Sequence, residues 1–348
     1  MDKMFKRTLL GATIALASTG VMAKQVGVNS DFTVEAYGVA AISIVNYNTT
    51  DNNDSSAGYA VENESRIGFR AHGDMYENFK ITMQIESGYV DNTDWSHGGV
   101  SGGVLGFRDT YIGASGDWGN VRVGRVLTPL YEIVDWPFSN PGLGSVFDWG
   151  GIAAHYDRQS NQVRYDSAKF GGFSFAASVG RDDGANGGGA ATRDSSFVSA
   201  NAKYSFEKVT LMGAVETGSD YNAVAGQDNL TYLVGAEASL PGGFGLAAAY
   251  KQEELDGYQG TAGSEISQGS YSIIGQYWNG PLGIKVGYAA NLESELNGAK
   301  QADSDSNTIS GQVMGVINGF VPYVRVAGRT VGSADTDIVT RFGLEYGF

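Results

Sequence analysis

Charged and apolar residues alternate in this chain in a way that separates charge from hydrophobic surface. Within residues 64–71, Arg66 and Arg70 fall on one face of an extended strand, whereas Ile67 and Phe69 fall on the other. If the apolar face meets lipid, the arginines must face inward, because an arginine at the middle of a bilayer costs about 2–4 kcal/mol. The pattern therefore predicts cations that line an enclosed aqueous space.

Further charged residues extend this prediction to two opposing sets. Strand alternation places Arg164 inward, and Arg108 and Arg158 are expected to face the same way. The predicted basic wall comprises Arg66, Arg70, Arg108, Arg158 and Arg164. The predicted acidic side, on a long connection between Arg125 and Gln162, comprises Glu132, Asp135 and Asp148. Opposite charges across a water-filled passage create a transverse field that acts on polar solutes. The alternative for each arginine is a structural ion pair that stiffens the wall.

The residue types needed for catalysis or metal binding are scarce. The chain has no Cys and three His without paired metal-ligand spacing, so we expect no metal and no cofactor. Ser160 near His155 is the one loose nucleophile–base pair and lacks a supporting motif, and His72 is expected in a periplasmic turn, so an enzyme is disfavoured. The net charge of −15 disfavours a nucleic-acid partner, because phosphate binding needs basic patches.

The last twelve residues indicate the kind of element that positions the charges. One face of the extended segment 337–348 is mostly apolar and carries Ile338, Thr340, Phe342, Leu344, Tyr346 and Phe348. A soluble protein rarely leaves such an aromatic strand exposed, because a free strand edge promotes aggregation. A membrane barrel accommodates it, with apolar residues outside, polar residues inside and aromatic residues at the interface.

Similar alternating segments recur from residue 32 to the C-terminus. We count about sixteen, each near the length that a tilted membrane strand requires. Short turns rich in Gly and Asn alternate with long hydrophilic connections, as in outer-membrane barrels. The prediction is an all-β fold, a 16-stranded antiparallel transmembrane β-barrel with both termini on the periplasmic side. A soluble β-propeller would show a repeated blade, and the sequence shows no such repeat.

The N-terminal residues have the features of an export signal. Basic residues precede the short apolar run 9–17, and small residues lead to a cleavage site after Ala23. A membrane anchor is the alternative, but the run is shorter than the about 20 residues that a spanning helix needs. We therefore predict a signal peptide over residues 1–23 and a transmembrane β-barrel domain over residues 24–348.

Several motifs resemble those of one known family. They are VEAYG (34–38), SRIGFR (65–70), QIESG (84–88), YIGASGDWG (111–119), RYDS (164–167) and FGGF (170–173). In this order the chain resembles the general porins of Gram-negative bacteria. The resemblance implies a homotrimer, sixteen strands and a third loop folded into the lumen. It also implies a basic cluster of Arg66, Arg108 and Arg158 opposite that loop, and a C-terminal assembly signal at Tyr346 and Phe348.

The connection between Arg125 and Gln162 is the expected third loop. It has about thirty-five residues, far more than an ordinary hairpin loop. It is rich in aromatic residues, namely Tyr131, Trp136, Phe138, Phe147, Trp149 and Tyr156. Such a loop must pack against a surface, and inside a barrel that surface is the wall. We expect it in the lumen; the alternative is packing over the barrel mouth or against a neighbouring subunit.

These features predict a general diffusion porin for ions and small hydrophilic solutes. Its expected partners are outer-membrane lipid, lipopolysaccharide, two further copies of the chain and the barrel-assembly machinery. The alternative is a substrate-specific porin for oligosaccharides, chitoporin- or maltoporin-like, in which loop aromatics such as Trp136 and Phe138 stack on sugar rings. Against this alternative, the same aromatics could simply anchor the loop to the wall. Saturable block of the conductance by chitin or maltose oligomers would favour the alternative.

Overall fold

The computed structural model describes residues 24–29, 32–48, 58–88, 106–139, 146–182 and 194–348. The predicted signal peptide lies outside these described residues. The strands are β1 (Lys24–Asn29), β2 (Phe32–Asn48), β3 (Gly58–Asn63), β4 (Arg66–Tyr76), β5 (Phe79–Gly88), β6 (Thr110–Gly116), β7 (Gly119–Leu127), β8 (Arg158–Ser167), β9 (Phe173–Arg181), β10 (Ser196–Phe206), β11 (Val209–Ser219), β12 (Asp228–Ser239), β13 (Phe244–Asp256), β14 (Glu265–Asn279), β15 (Leu282–Asn291), β16 (Glu295–Leu296), β17 (Ala299–Lys300), β18 (Ser306–Gly315), β19 (Phe320–Val331) and β20 (Asp337–Gly347). Two short helices, α1 (Pro129–Asp135) and α2 (Val146–Trp149), lie between β7 and β8.

The strands form one closed antiparallel barrel. Strands β3 and β4 both pair with β2 and act as one interrupted barrel strand, and the short β16 and β17 form a hairpin in an outer connection. Strand β1 pairs with the part of β2 that lies beyond the end of β20. The remaining ladder closes between β20 and β2, which gives the sixteen barrel strands predicted from the sequence. The fold prediction is confirmed.

Closure occurs where the last residue meets the first barrel strand. The backbone of Phe348 exchanges two hydrogen bonds of 3.0 Å with Gly38, next to Tyr37. A Cβ atom on Gly38 would lie 2.5 Å from the Phe348 ring and 2.9 Å from a backbone oxygen, so glycine is required for this approach. The last strand therefore pairs with the first barrel strand beside Tyr37.

The two faces of the wall follow the predicted alternation. In β11, Leu211 and Val215 are exposed on the outside, whereas Thr210 and Glu216 are buried on the inside. One turn differs from prediction: β4 continues through His72 to Tyr76, so His72 lies in a strand. The strand continues because its ladder with β5 is maintained, with a single shift in register, as far as the turn. No helix in the described part of the chain has the length and apolar character of a membrane span.

The third loop lies inside the barrel, as predicted. Apolar side chains of α1 and α2 pack against inward-facing side chains of β11 to β15, and together they form the largest buried cluster. Wall side chains also donate hydrogen bonds to carbonyl groups of the loop: Asn201 to Pro129, Ser272 to Phe138, Asn291 to Val146 and Asn229 to Ala154. At membrane depth, the polar groups of an irregular backbone need hydrogen-bond partners from protein or water. These donors supply such partners for the loop.

Candidate functional site: the lumen constriction

The helix α1 determines how the third loop enters the lumen. Thr128 caps its N-terminus by accepting a hydrogen bond from the Tyr131 backbone, and Pro129 occupies its first turn. The apolar side chains at i, i+3 and i+4 face the wall: Leu130, Ile133 and Val134, all fully buried. This burial turns the end of the helix, at Asp135, toward the open lumen.

Glu132 and Arg164 hold α1 to the wall. The two side chains form an ion pair, and Glu132 also pairs with Lys203 at 2.6 Å. Arg164 is only 2% exposed and also donates to the Leu127 carbonyl. Burial raises the pKa of Glu132, but the charges of Arg164 and Lys203 outweigh it and hold the pKa well below its ordinary value. Arg164 is therefore buried in a structural ion pair, whereas the Glu132 side chain stays 36% exposed.

Asp148 also departs from its predicted position. It is 5% exposed, because α2 packs between α1 and the inner faces of β14 and β15. Burial, with the negative charge of Asp135 nearby, raises the pKa of Asp148 to about 8. The sequence identified an acid on the third loop, but this acid lies beneath the loop and not on the surface of the passage.

Asp135 is the acid that does face the lumen. Its side chain is exposed at the end of α1. Burial within the barrel raises the pKa of Asp135, while the positive charges of Arg158, Arg108 and Arg66 oppose that effect. Asp135 therefore interacts electrostatically with these three wall arginines.

The arginines of the basic wall are themselves paired. Arg108 binds Glu86 at 2.5 Å, and Arg158 binds Asp109 at 2.6 Å. Asp109 precedes β6 in an irregular bend, where strand alternation does not apply. The ion pairs do not exclude a role in the lumen, because a paired charge that borders the lumen still contributes to its field.

Arg70 lies on the same inner face of the wall, in β4. Its Nε donates to Gln84 at 3.0 Å, and its guanidinium lies 4.1 Å from the centre of the Tyr37 ring. Tyr37 in turn donates a 2.8 Å hydrogen bond to Glu86. Arg70 therefore extends the network around Arg108 along the wall.

The loop aromatics divide into two groups. Phe138 and Phe147 are fully buried against the wall and contact one another edge to face, so they anchor the loop. Trp149 is 44% exposed, and its ring lies beside Tyr131. Trp136 is partly exposed immediately after Asp135. The anchoring interpretation is correct for the two phenylalanines, whereas the tryptophans retain accessible ring surface.

Two basic residues near the constriction were not among the predicted site residues. The Lys285 ammonium lies 4.2 Å from the centre of the Trp136 ring, and Arg325 pairs with Glu345 at 3.5 Å. Both lie between outward-facing apolar neighbours in their strands, and strand alternation therefore contained the signal for them.

The described residues show no arrangement typical of a catalytic or metal centre. His155 bonds through Nδ1 to Glu253 at 2.6 Å, and Ser160 accepts a hydrogen bond from Arg125. Each member of the loose pair seen in the sequence is thus engaged with another residue. Within the described ranges, no three His, Asp or Glu side chains are grouped so that they could hold a metal ion.

Comparison with known proteins gives consistent similarities. A family model described as Gram-negative porin matches residues 10–314. The chitoporin of Vibrio furnissii is 72% identical over all of both chains. The major outer membrane protein P.IB of Neisseria sicca is 26% identical over 87% of this chain and 88% of that protein. Among solved structures, OmpT of Vibrio cholerae has a TM-score of 0.71 at 15% identity, over 93% of this chain and 100% of that one.

Proposed function

The chain belongs to the Gram-negative porins, and we propose that it is selective for chitooligosaccharides, the β-linked oligomers of N-acetylglucosamine. As a porin it is an outer-membrane transport channel and not an enzyme. The observation that carries the proposed selectivity is the 72% identity, over the whole of both chains, to the chitoporin of Vibrio furnissii. It favours the oligosaccharide alternative over a non-specific diffusion pore.

Trp136 supplies a physical basis for this selectivity. It follows the exposed Asp135 at the end of α1, while Phe138 fixes the loop beneath it. An indole ring offers a flat apolar surface, and a pyranose ring presents a matching face of C–H groups. Stacking in the lumen removes both surfaces from water, which is favourable. A sugar oligomer could therefore slide from one contact to the next.

The charged groups around Trp136 form hydrogen bonds with the polar groups at the edge of the sugar ring. Asp135 accepts hydrogen bonds, and Arg66, Arg108 and Arg158 supply donors from the opposite wall. Hydroxyl and acetamido groups can exchange water for these fixed partners without leaving a polar group unsatisfied. Conduction requires binding strong enough for entry but weak enough for release, and several moderate contacts meet that condition.

We also propose the assembly and orientation that the family resemblance implies. Three copies associate through their apolar outer walls in lipid that contains lipopolysaccharide. Both termini lie at the periplasmic rim, because Phe348 meets the first barrel strand beside the short turns. Tyr346 and Phe348 serve as the signal for the barrel-assembly machinery.

Conductance block tests the proposed sugar selectivity. In planar bilayers, hexamers of N-acetylglucosamine should interrupt the current saturably, whereas maltohexaose of equal length should do so far less. Trp136→Ala should weaken the block by about tenfold, equivalent to about 1.4 kcal/mol, because truncating an aromatic anchor typically costs more than 1 kcal/mol.

Trp118→Ala is the matched control. Trp118 stacks on Tyr165 at a periplasmic turn, away from the third loop, so its loss should leave the block unchanged. Ohmic conductance that neither oligomer blocks would contradict the proposal and would indicate a non-specific diffusion pore instead.

A further inference from the structure

One connection at the barrel rim folds inward and contacts the third loop. It joins β11 to β12 at the rim from which the third loop enters the barrel, and we call residues 220–227 the rim strap. The Tyr221 backbone donates a 2.6 Å hydrogen bond to the Gln227 carbonyl, which closes the strap on itself. The Asn222 backbone donates at 2.5 Å to the fully buried carboxylate of Asp182, just beyond the end of β9. The strap therefore has a fixed shape and a fixed attachment to the wall.

Tyr221 is the side chain through which the rim strap reaches the third loop. It is 3% exposed, and its hydroxyl lies 2.7 Å from the Ala153 carbonyl and 2.8 Å from the His155 carbonyl. A phenol has one proton, so this donor is shared between the two carbonyl groups. Burial, together with the negative charge of Glu253, raises the pKa of Tyr221 well above its ordinary value, and the hydroxyl therefore remains a donor.

The segment that accepts this donor has a strained backbone. Ala153 has a φ of 44°, in the left-handed region that residues other than glycine adopt only where their surroundings hold them. From the wall, Thr231 donates to the next carbonyl, that of Ala154, at 2.5 Å. From the rim, Tyr221 donates to Ala153 itself and packs its ring edge to face on Tyr156. The strap and the wall thus hold this segment between them.

His155 links this segment to the constriction. Its ring stacks on that of Tyr131, with the ring centres 5.9 Å apart and the planes 19° from parallel. Tyr131 belongs to α1, the helix that ends at the exposed Asp135. A continuous series of contacts therefore runs from Tyr221 through His155 and Tyr131 to the helix that borders the passage.

We propose that Tyr221 is a positioning residue for the constriction, through which the rim strap keeps α1 where the passage is open. Because Tyr221 is buried, it acts through the third loop and not by contact with solute. Without its hydrogen bond, the left-handed turn at Ala153 loses a support, and the segment before β8 opens locally more often. The helix α1 then visits other positions, some of which obstruct the passage, and the channel closes for short periods. The inference concerns the opening of the channel and does not depend on which solute the channel selects.

Tyr221→Phe tests the inference, because it removes the hydroxyl and keeps the ring that packs on Tyr156. In planar bilayers with salt and no sugar, brief closures should become about fivefold more frequent, while the fully open conductance stays as in the wild type. The Tyr156 amide, which donates to Glu216 at 2.6 Å, should exchange hydrogen about fivefold faster. Amides of β11 and β12 should remain protected and the heat resistance of the barrel should not change, which separates a loss of positioning from a loss of folding.

Tyr258→Phe is the matched control, because the connection between β13 and β14 repeats the turn of the rim strap. The Tyr258 backbone donates to the Ser264 carbonyl at 3.0 Å, as Tyr221 does to Gln227, and left-handed residues flank both tyrosines. The Tyr258 hydroxyl makes no hydrogen bond to a described residue of the third loop, so its removal should leave closures and exchange unchanged. Closures at the wild-type rate in Tyr221→Phe, or an equal rise in both variants, would overturn the inference. Because no sugar is present, either result leaves the proposed selectivity untouched.

Discussion

At the scale of single residues, the charges of the lumen differ in what they can do. Glu132 and Asp148 are acids of the third loop, as Asp135 is, yet the first is tied to two cations and the second is buried beneath the loop. Only Asp135 of these three is exposed opposite the arginines. Residue type therefore identified candidates, and burial decided which of them is exposed in the lumen.

Asp148 makes the packing of the third loop sensitive to pH. Its pKa is raised to about 8, so the neutral carboxyl is the form that the packed loop favours. Asp135, Asp157, Lys251 and the Tyr131 hydroxyl face it. The stabilisation is complete below the ordinary aspartate pKa of about 4 and is lost as the pH rises through about 8. We expect loop-dependent closures of the wild-type channel to become at least about twofold more frequent from pH 6 to pH 9.

Asp148→Asn should abolish this dependence, since the amide does not ionise. Single-channel recording at both pH values measures the closures. Asp117→Asn, in the exposed turn between β6 and β7, is the matched control and should behave as the wild type. An Asp148→Asn channel that still closes more often at high pH would show that another group is responsible.

At the scale of elements, the third loop is the feature that narrows the barrel. Its two helices are too short to be stable alone, and tertiary contacts hold them. Apolar packing supplies one part of the stabilisation, and donors from the wall satisfy its carbonyl groups. The ion pairs of Glu132 with Arg164 and Lys203 join α1 to β8 and β10 and complete the attachment.

Glu132→Gln should loosen α1 without unfolding the barrel. The variant removes a charge that two cations share, and hydrogen bonds to charged groups contribute about 1.5–3 kcal/mol. Backbone amides of residues 130–136 should exchange hydrogen about tenfold faster or more, while amides of β12 and β13 remain protected.

Glu293→Gln is the comparison for this change. Glu293 also pairs with a lysine, Lys300, but both are exposed in the connection between β15 and β18, so exchange in α1 should be unaffected. Equal protection of α1 in the Glu132→Gln variant and the wild type would show that apolar packing alone holds the loop.

At the scale of the whole molecule, stability depends on the closure between β2 and β20. Phe348 exchanges backbone hydrogen bonds with Gly38, and inside the barrel Arg341 of β20 pairs with Glu62 and Glu64 across the same seam. Arg341 is almost fully buried, so the pair brings together the two ends of the chain in the enclosed lumen. Closure leaves no free edge between these two strands.

Gly38→Ala should weaken this closure. The added methyl would lie 2.5 Å from the Phe348 ring and 2.9 Å from the Arg66 carbonyl, so one strand must move. Overpacking of this kind costs about 1–3 kcal/mol. The temperature at which the folded barrel loses its gel mobility should fall, and the yield of folded barrel should decrease.

Gly275→Ala, where a Cβ meets nothing within 4 Å, should leave both unchanged. Equal heat resistance of the two variants would argue against a tight seam at Gly38.

The amino-acid sequence by itself determined the wall of this protein. A strand alternates its side chains between two faces, so the position of a residue along the chain was enough to orient Arg66, Arg70 and Leu211. Glycine-containing turns likewise marked the rims, and the apolar last strand identified the lipid-facing side. These are local properties of the chain, so strand alternation and turn composition are enough to predict them.

The tertiary structure alone decided what happens inside the wall. The third loop has no regular alternation, and its path depends on which wall residues it meets. Arg164 therefore binds Glu132, Asp109 turns inward to Arg158, and Lys285 meets Trp136, although each pair is distant in the chain. Partners of this kind are chosen by the closed shape of the barrel, because only closure brings these strands and the loop within reach of one another.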